Sequence, residues 1–208
     1  MNLPNTLTLI RIFFVPLLVA ALVQKNYTIE AFGTIITNEY IALAIFLAAG
    51  ATDLLDGYLA RRLRQITTVG TLLDPIADKL LISAAMIALV EVQVLPAWMA
   101  ILIIGREFAV SGLRSIAAAE GYVIKANDLG KLKLATQVLA ISLMMLSIRW
   151  LAIRPLAMAA MWAVVFFSIL SAVVYFRKFW SEIDERVKRR SRTQLILSQK
   201  IRAADEHG

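Results

Sequence analysis

Residues 52–81 read TDLLDGYLARRLRQITTVGTLLDPIADKLL and place four aspartates, Asp53, Asp56, Asp74 and Asp78, in segments otherwise apolar enough to sit in a membrane. Four anions in a poor solvent repel strongly, and a buried ion without a partner is costly. The i, i+3 and i, i+4 spacings put each pair on one face of a helix. The link between the pairs, RRLRQITTVG, is short and basic, so the two helices are expected to be antiparallel neighbours with four converging carboxylates. The single Lys79 cannot neutralise four charges, and on a helix it points about 100° away from Asp78. Divalent cations can. An all-oxygen donor set without His or Cys favours Mg²⁺, Mn²⁺ or Ca²⁺ over zinc. Two carboxylate pairs suit two metals about 4 Å apart, a clamp fitted to phosphoryl chemistry. Gly57, Ala60 and Gly70 are small enough for a backbone or a flat ligand to approach closely. The competing use of such aspartates is to pair with arginines or to line an ion path.

The rest of the chain frames that cluster. Of 208 residues, 60% are hydrophobic, and the mean hydropathy is +0.73. That is the composition of a polytopic membrane protein with one domain rather than a soluble one. Six apolar segments can serve as spans of about 20 residues: 5–24, 40–61, 71–91, 96–118, 130–149 and 152–176. Short connectors, apart from QKNYTIEAFGTIITNEY, make consecutive helices antiparallel neighbours in a bundle. Lys and Arg divide 16 to 3 between the two sides, with Arg11, Lys79 and Arg106 inside the spans. This puts both termini in the cytoplasm. The first span lacks a basic leader and is interrupted by Arg11, so it reads as a retained helix and not a signal peptide. Residues 1–180 form the expected transmembrane domain, and 181–208 a basic tail suited to anionic lipid. Trp98, Trp150 and Trp180 fall near span ends, as interfacial residues do. There is no cysteine, which excludes disulfide and thiolate chemistry, and the only histidine, His207, lies in the tail. The net charge of +7 favours anionic partners.

A second constellation lies in GREFAVSGLRSIAAAEGYVIKANDLGKLKLATQ, residues 105–137. Arg106 interrupts an apolar run, with Glu107 beside it. Arg114 follows eight residues on, displaced around the helix by roughly 80°. Lys131 and Lys133 open the next helix. Cations gathered near a metal site would bind a dianionic acceptor, and arginine can grip phosphate through two hydrogen bonds. The plainer alternatives are that Arg106 pairs with Glu107 or an aspartate, and that the lysines obey the positive-inside rule. Spans five and six carry little chemistry and are expected to serve packing or dimer contacts.

The pattern Asp53-x2-Asp56-Gly57-x2-Ala60-Arg61-x8-Gly70-x3-Asp74-x3-Asp78 resembles, at every fixed position, the signature of the CDP-alcohol phosphatidyltransferases. That resemblance implies six transmembrane helices, a homodimer and a cytoplasm-facing site with two divalent ions, Mg²⁺ or Mn²⁺. It implies attack of an alcohol on CDP-diacylglycerol with release of CMP, in the bacterial inner membrane. It puts Asp53, Asp56, Asp74 and Asp78 at the metals and nominates Asp78 as the base. It sets Asn5, Thr8, Asp56, Gly57, Ala60, Arg61 and Gly70 against CDP-diacylglycerol. Gly105-Arg106-Glu107, Ser111-Gly112-Leu113-Arg114, Gly130-Lys131-x-Lys133 and Asn5-Thr6-Leu7-Thr8-Leu9-x-Arg11 resemble the branch of the family that uses sn-glycerol 3-phosphate. By that resemblance Arg106, Arg114, Lys131 and Lys133 hold the acceptor phosphate, and the product is phosphatidylglycerophosphate. Leu134 and Thr68 depart from the branch.

Within the family, inositol phosphate or phosphatidylglycerol are alternative acceptors. A cation transporter built on the same aspartates is the more distant alternative, although no inverted repeat or pair of broken helices is visible. An adaptor for nucleic acid acting through the tail would leave the aspartates unexplained, and no nucleic-acid partner is expected.

Overall fold

The computed structural model describes the backbone of residues 3–24, 28–31, 34–63, 68–121 and 129–205, and side chains within 9–24, 37–52, 76–77, 79–121 and 133–184. Six α-helices carry the architecture: α1 Leu3–Val23, α2 Asn38–Leu63, α3 Thr68–Glu91, α4 Ala97–Ala119, α5 Leu129–Arg149 and α6 Arg154–Asp205. Each corresponds to one expected span. The segment between the first two helices does not fold only as a connector. It contains an antiparallel hairpin, β1 Thr28–Ala31 and β2 Thr34–Thr37, with Thr28 opposite Thr37 and Ala31 opposite Thr34.

Local chemistry fixes where the helices end. Leu89 O accepts hydrogen bonds from the N–H groups of Val94 (3.0 Å) and Leu95 (3.1 Å), closing α3. Gln93 takes a positive φ of 59° in that turn, and extended Pro96 caps α4. Proline suits this place because its missing N–H would be unpaired in a first turn anyway. At the far end of α4, Gly121 adopts φ 74° and its N–H reaches Ala118 O at 3.0 Å. A left-handed residue just past a helix is the usual place for glycine.

The buried positions repeat at three- and four-residue intervals, so each helix turns one stripe inward. On α1 the stripe is Arg11, Val15, Leu18 and Leu22; on α2 it is Ala42, Phe46 and Ala49. On α6 it runs Ala157, Met161, Val164, Ser168, Ser171, Tyr175 and Phe179. Methionines 86, 99, 144, 145 and 161 fill the centre of one continuous core. Helix α1 packs on α2 and α3, α5 packs on α6 and α2, and α4 packs on α6 and α3.

Cross-helix contacts order the ends of the bundle. Trp150 Nε1, at the close of α5, donates to Tyr40 Oη, at the start of α2, at 2.7 Å. Trp98 at the start of α4 meets Trp162 near the start of α6, with ring centroids 5.4 Å apart. These contacts gather the beginnings of α2, α4 and α6 with the end of α5, as alternating helix directions require. Trp98, Trp150 and Trp180 are all well exposed, in keeping with an interfacial place. Among the described residues, Leu151–Asp184 is long and apolar enough to cross a membrane, with a hydropathy of 2.3 over its window.

Helix α6 has 52 residues, about 78 Å of helix at 1.5 Å per residue. It passes without interruption through the expected division at residues 180 and 181. The boundary between body and tail is therefore one of composition and not a break in the helix.

Candidate functional site

Three of the buried stripes change character along their length. On α6, Ala157, Met161 and Val164 give way to Ser168, Ser171 and Tyr175. On α5, Ala140, Ile141 and Met144 are preceded by buried Gln137 and Lys133. On α4, Met99 and Ile103 are followed on the same stripe by Arg106, whose side chain is only 9% exposed. The polar portions meet because α4 and α5 both pack on α6.

Arg106 is held from two sides. Its Nη1 lies 3.3 Å from Glu107 Oε2, and its Nη2 donates to Ser171 Oγ on α6. Lys133 on α5 forms an ion pair with the other oxygen of the same carboxylate. One glutamate thus bridges two cations on neighbouring helices. Arg114, two turns further along α4, donates from Nη2 to the Tyr175 hydroxyl, and its guanidinium carbon lies 4.7 Å from the centre of that ring. Among the described residues, the three cations Arg106, Arg114 and Lys133 stand beside one carboxylate, an excess of about +2 that suits a dianion.

Hydrogen-bonding capacity remains in the cluster. Among the described residues Arg106 Nε, Gln137 Nε2 and Ser168 Oγ are buried without a partner. A guanidinium has five N–H donors, of which Glu107 and Ser171 take two here. The cluster therefore keeps donors to spare on Arg106. Arg106 does pair with Glu107, and that one carboxylate is shared with Lys133.

The remaining expected site residues have placed backbones, but their side chains lie outside the described set. Asn5 and Thr8 lie in the opening turns of α1. Asp53, Asp56, Gly57, Ala60 and Arg61 fall in the last part of α2, and Gly70, Asp74 and Asp78 in the first part of α3. Lys131 is in the first turn of α5. Among the described side chains, no group of His, Cys, Asp or Glu is disposed to hold a metal ion. The donor set of the four aspartates is nonetheless all carboxylate, on two successive helices that touch each other. That chemistry fits a hard divalent ion.

Two features escaped the reading from sequence. Helix α6, in a segment expected to serve packing or dimer contacts, supplies Ser171 and Tyr175 as hydrogen-bond partners to the two arginines of α4. Arg11 is wholly buried, on the face of α1 that packs toward α2 and α3. Its interruption of an apolar run was the available signal.

This chain belongs to the CDP-alcohol phosphatidyltransferase family, whose model matches residues 1–170. It is 44% identical over 187 residues to the CDP-diacylglycerol–glycerol-3-phosphate 3-phosphatidyltransferase of Bacillus subtilis (strain 168), covering 88% of this chain and 97% of the relative. The protein with the same description from Rickettsia felis is 33% identical over 179 residues, covering 85% and 94% of the two chains. A cardiolipin synthase (CMP-forming) of Oryza sativa subsp. japonica is 34% identical over 199 residues, covering 86% of this chain and 58% of that protein.

Proposed function

We propose that the protein transfers the phosphatidyl group of CDP-diacylglycerol to sn-glycerol 3-phosphate, giving phosphatidylglycerophosphate and CMP. The observation that carries this reading is the buried cluster of Arg106, Lys133 and Glu107 with Arg114 beside it, whose excess of about +2 suits a phosphate dianion. The names of the Bacillus and Rickettsia relatives support the same acceptor. Arg106, Arg114, Lys131 and Lys133 would grip the acceptor phosphate.

The donor's site is assigned to the aspartates. The buried stripe of α2 recurs at Ala42, Phe46 and Ala49, and the same intervals continued along the sequence reach Asp53 and Asp56. On α3, Ala77, Leu81 and Ala85 are buried, and one turn before Ala77 and Leu81 the positions are Asp74 and Asp78 or their neighbours. Asp53, Asp56, Asp74 and Asp78 would hold two Mg²⁺ or Mn²⁺ ions, which supply charge stabilisation on the pyrophosphate. Asn5, Thr8, Gly57, Ala60, Arg61 and Gly70 would line the cytidine diphosphate.

The acceptor hydroxyl oxygen attacks the phosphorus that bears the diacylglycerol. A new P–O bond forms, the P–O bond to the cytidylyl phosphate breaks, and CMP departs with the electron pair. Asp78 takes the hydroxyl proton as general base. The six helices span the bacterial inner membrane with both termini and the site facing the cytoplasm, where the 16 basic residues of one side gather. The assembly is a homodimer, and the basic continuation of α6 meets anionic lipid.

The test is CMP release from CDP-diacylglycerol by purified protein with Mg²⁺ or Mn²⁺, with and without sn-glycerol 3-phosphate, beside Asp78→Asn. Release that requires glycerol 3-phosphate and is lost in the variant is the expected result. Release driven by phosphatidylglycerol instead would favour the second reading, for which the rice relative's name is the specific support. Folded protein that releases no CMP with any alcohol would sink the enzyme.

A further inference from the structure

The two arginines of α4 do not set their own separation. Arg106 and Arg114 leave α4 eight residues apart, about 12 Å along the helix axis. Their partners on α6, Ser171 and Tyr175, are four residues apart, about 6 Å. The order of the pairs is the same on both helices, so α4 and α6 run in the same direction. Partners half as far apart on α6 bring both arginines to one short stretch of that helix. Like charges oppose that approach. The approach is maintained by α6.

We infer that Ser171 and Tyr175 are positioning residues that draw the Arg106 and Arg114 guanidiniums together so that a single acceptor phosphate can accept hydrogen bonds from both. This rests on the acceptor assignment proposed above.

The two anchors differ in chemistry. Ser171 is buried and offers one hydroxyl oxygen to Nη2 of Arg106, while Glu107 holds Nη1 of the same group. The guanidinium plane is then fixed at two corners. Tyr175 is also buried, whereas Arg114 is exposed along much of its length. A long exposed side chain samples many rotamers unless something restrains it. Tyr175 restrains it through a hydroxyl acceptor and an aromatic face together. Phe179 and Ala117 are buried together one turn further along, with Leu113 packed against them, on the same pair of helices. Neither Ser171 nor Tyr175 needs to touch the phosphate. Each acts through an arginine, and a restrained cation loses less freedom when the ligand arrives.

The experiment measures KM and kcat for sn-glycerol 3-phosphate, at saturating CDP-diacylglycerol in mixed micelles, for Tyr175→Phe, Ser171→Ala, Ser171→Thr, Arg114→Ala and the Arg114→Ala/Tyr175→Phe pair. Tyr175→Phe removes one oxygen and keeps the ring, so the fold is retained, and thermal unfolding of each variant checks this. Losing a hydrogen bond to a charged group is expected to raise KM for the acceptor about tenfold in Tyr175→Phe and in Ser171→Ala, with a smaller effect on kcat. Ser171→Thr, which keeps the hydroxyl, restores KM to within about threefold. In the Arg114→Ala background, Tyr175→Phe adds less than about twofold, because a residue acting through Arg114 has nothing left to act on. Additive effects in that pair, or an unchanged KM in Tyr175→Phe while Arg114→Ala raises it, would overturn the positioning role alone. An unchanged KM in Arg114→Ala would overturn the acceptor assignment itself.

Discussion

Glu107→Gln tests the charge balance of the cluster most directly. The carboxylate bridges Arg106 and Lys133, whose side chains are 9% and 6% exposed, and is itself 22% exposed. Removing one partner of a fully buried pair costs 3–5 kcal/mol because a charge is left uncompensated, with about 3 kcal/mol a fair value where the carboxylate is partly wet. For a domain of about 200 residues, each kcal/mol is worth about 2–4 °C in Tm. The amide is nearly isosteric and still accepts through its carbonyl, so the fall is set near the lower end, about 6 °C. The substitution also raises the local charge from about +2 to about +3, so a bound phosphate should stabilise the variant more than the wild type. Thermal unfolding in detergent, with and without sn-glycerol 3-phosphate, reads both effects. Glu91→Gln, at the exposed end of α3, serves as control and should shift Tm by less than about 2 °C. A Glu107→Gln protein that melts with the wild type, or that gains less than the wild type from the ligand, would refute the view that this carboxylate balances the two cations.

Three further outcomes follow from named contacts. Gln137 is buried with its Nε2 unpartnered among the described residues, so Gln137→Met should leave Tm unchanged or raise it by about 1–3 °C, since an unsatisfied polar group is removed; a fall of more than about 4 °C in unfolding would show that the amide is engaged. Trp150→Phe forfeits the 2.7 Å hydrogen bond to Tyr40 at an exposed site and should lower Tm by about 1–3 °C while leaving CMP release intact. Chelation with EDTA should abolish CMP release, and Mg²⁺ or Mn²⁺ but not Zn²⁺ should restore it, as an all-carboxylate donor set requires.

The helices were legible because each is an apolar run closed by a strong punctuator. The span expected at 96–118 is α4, Ala97–Ala119, bounded by Pro96 before it and Gly121 after it. The hairpin was not legible. Thr28–Ala31 and Thr34–Thr37 are four residues each, too brief for a period of two to stand out. The length of α6 was hidden by a change of composition at Arg177, although no glycine or proline interrupts residues 156–205. Arg106 announced itself as a lone charge in an apolar run. Its partners did not. Ser171 and Tyr175 sit in a long apolar stretch, where two hydroxyls hardly move a hydropathy average. The bridge from Glu107 to Lys133 joins residues 26 apart through the packing of α4 and α5 against α6, which no local pattern encodes.

The stripe on α6 ties the apolar half of the bundle to the cation cluster by rotational phase. A single alanine inserted between Val165 and Ser168 would leave length, composition and average hydropathy almost unchanged. It would turn everything beyond it by about 100° and advance it by about 1.5 Å. Ser171 and Tyr175 would then swing off the face that meets α4, while Ala157, Met161 and Val164 kept theirs. Membrane insertion responds to how much apolar length a segment has, and this insertion barely alters that quantity. The cradle responds to angle. Substitutions off the buried stripe of this helix are therefore exchangeable within wide limits, whereas single-residue insertions and deletions are not, and tolerance to indels should map the site as sharply as substitution at Ser171 and Tyr175.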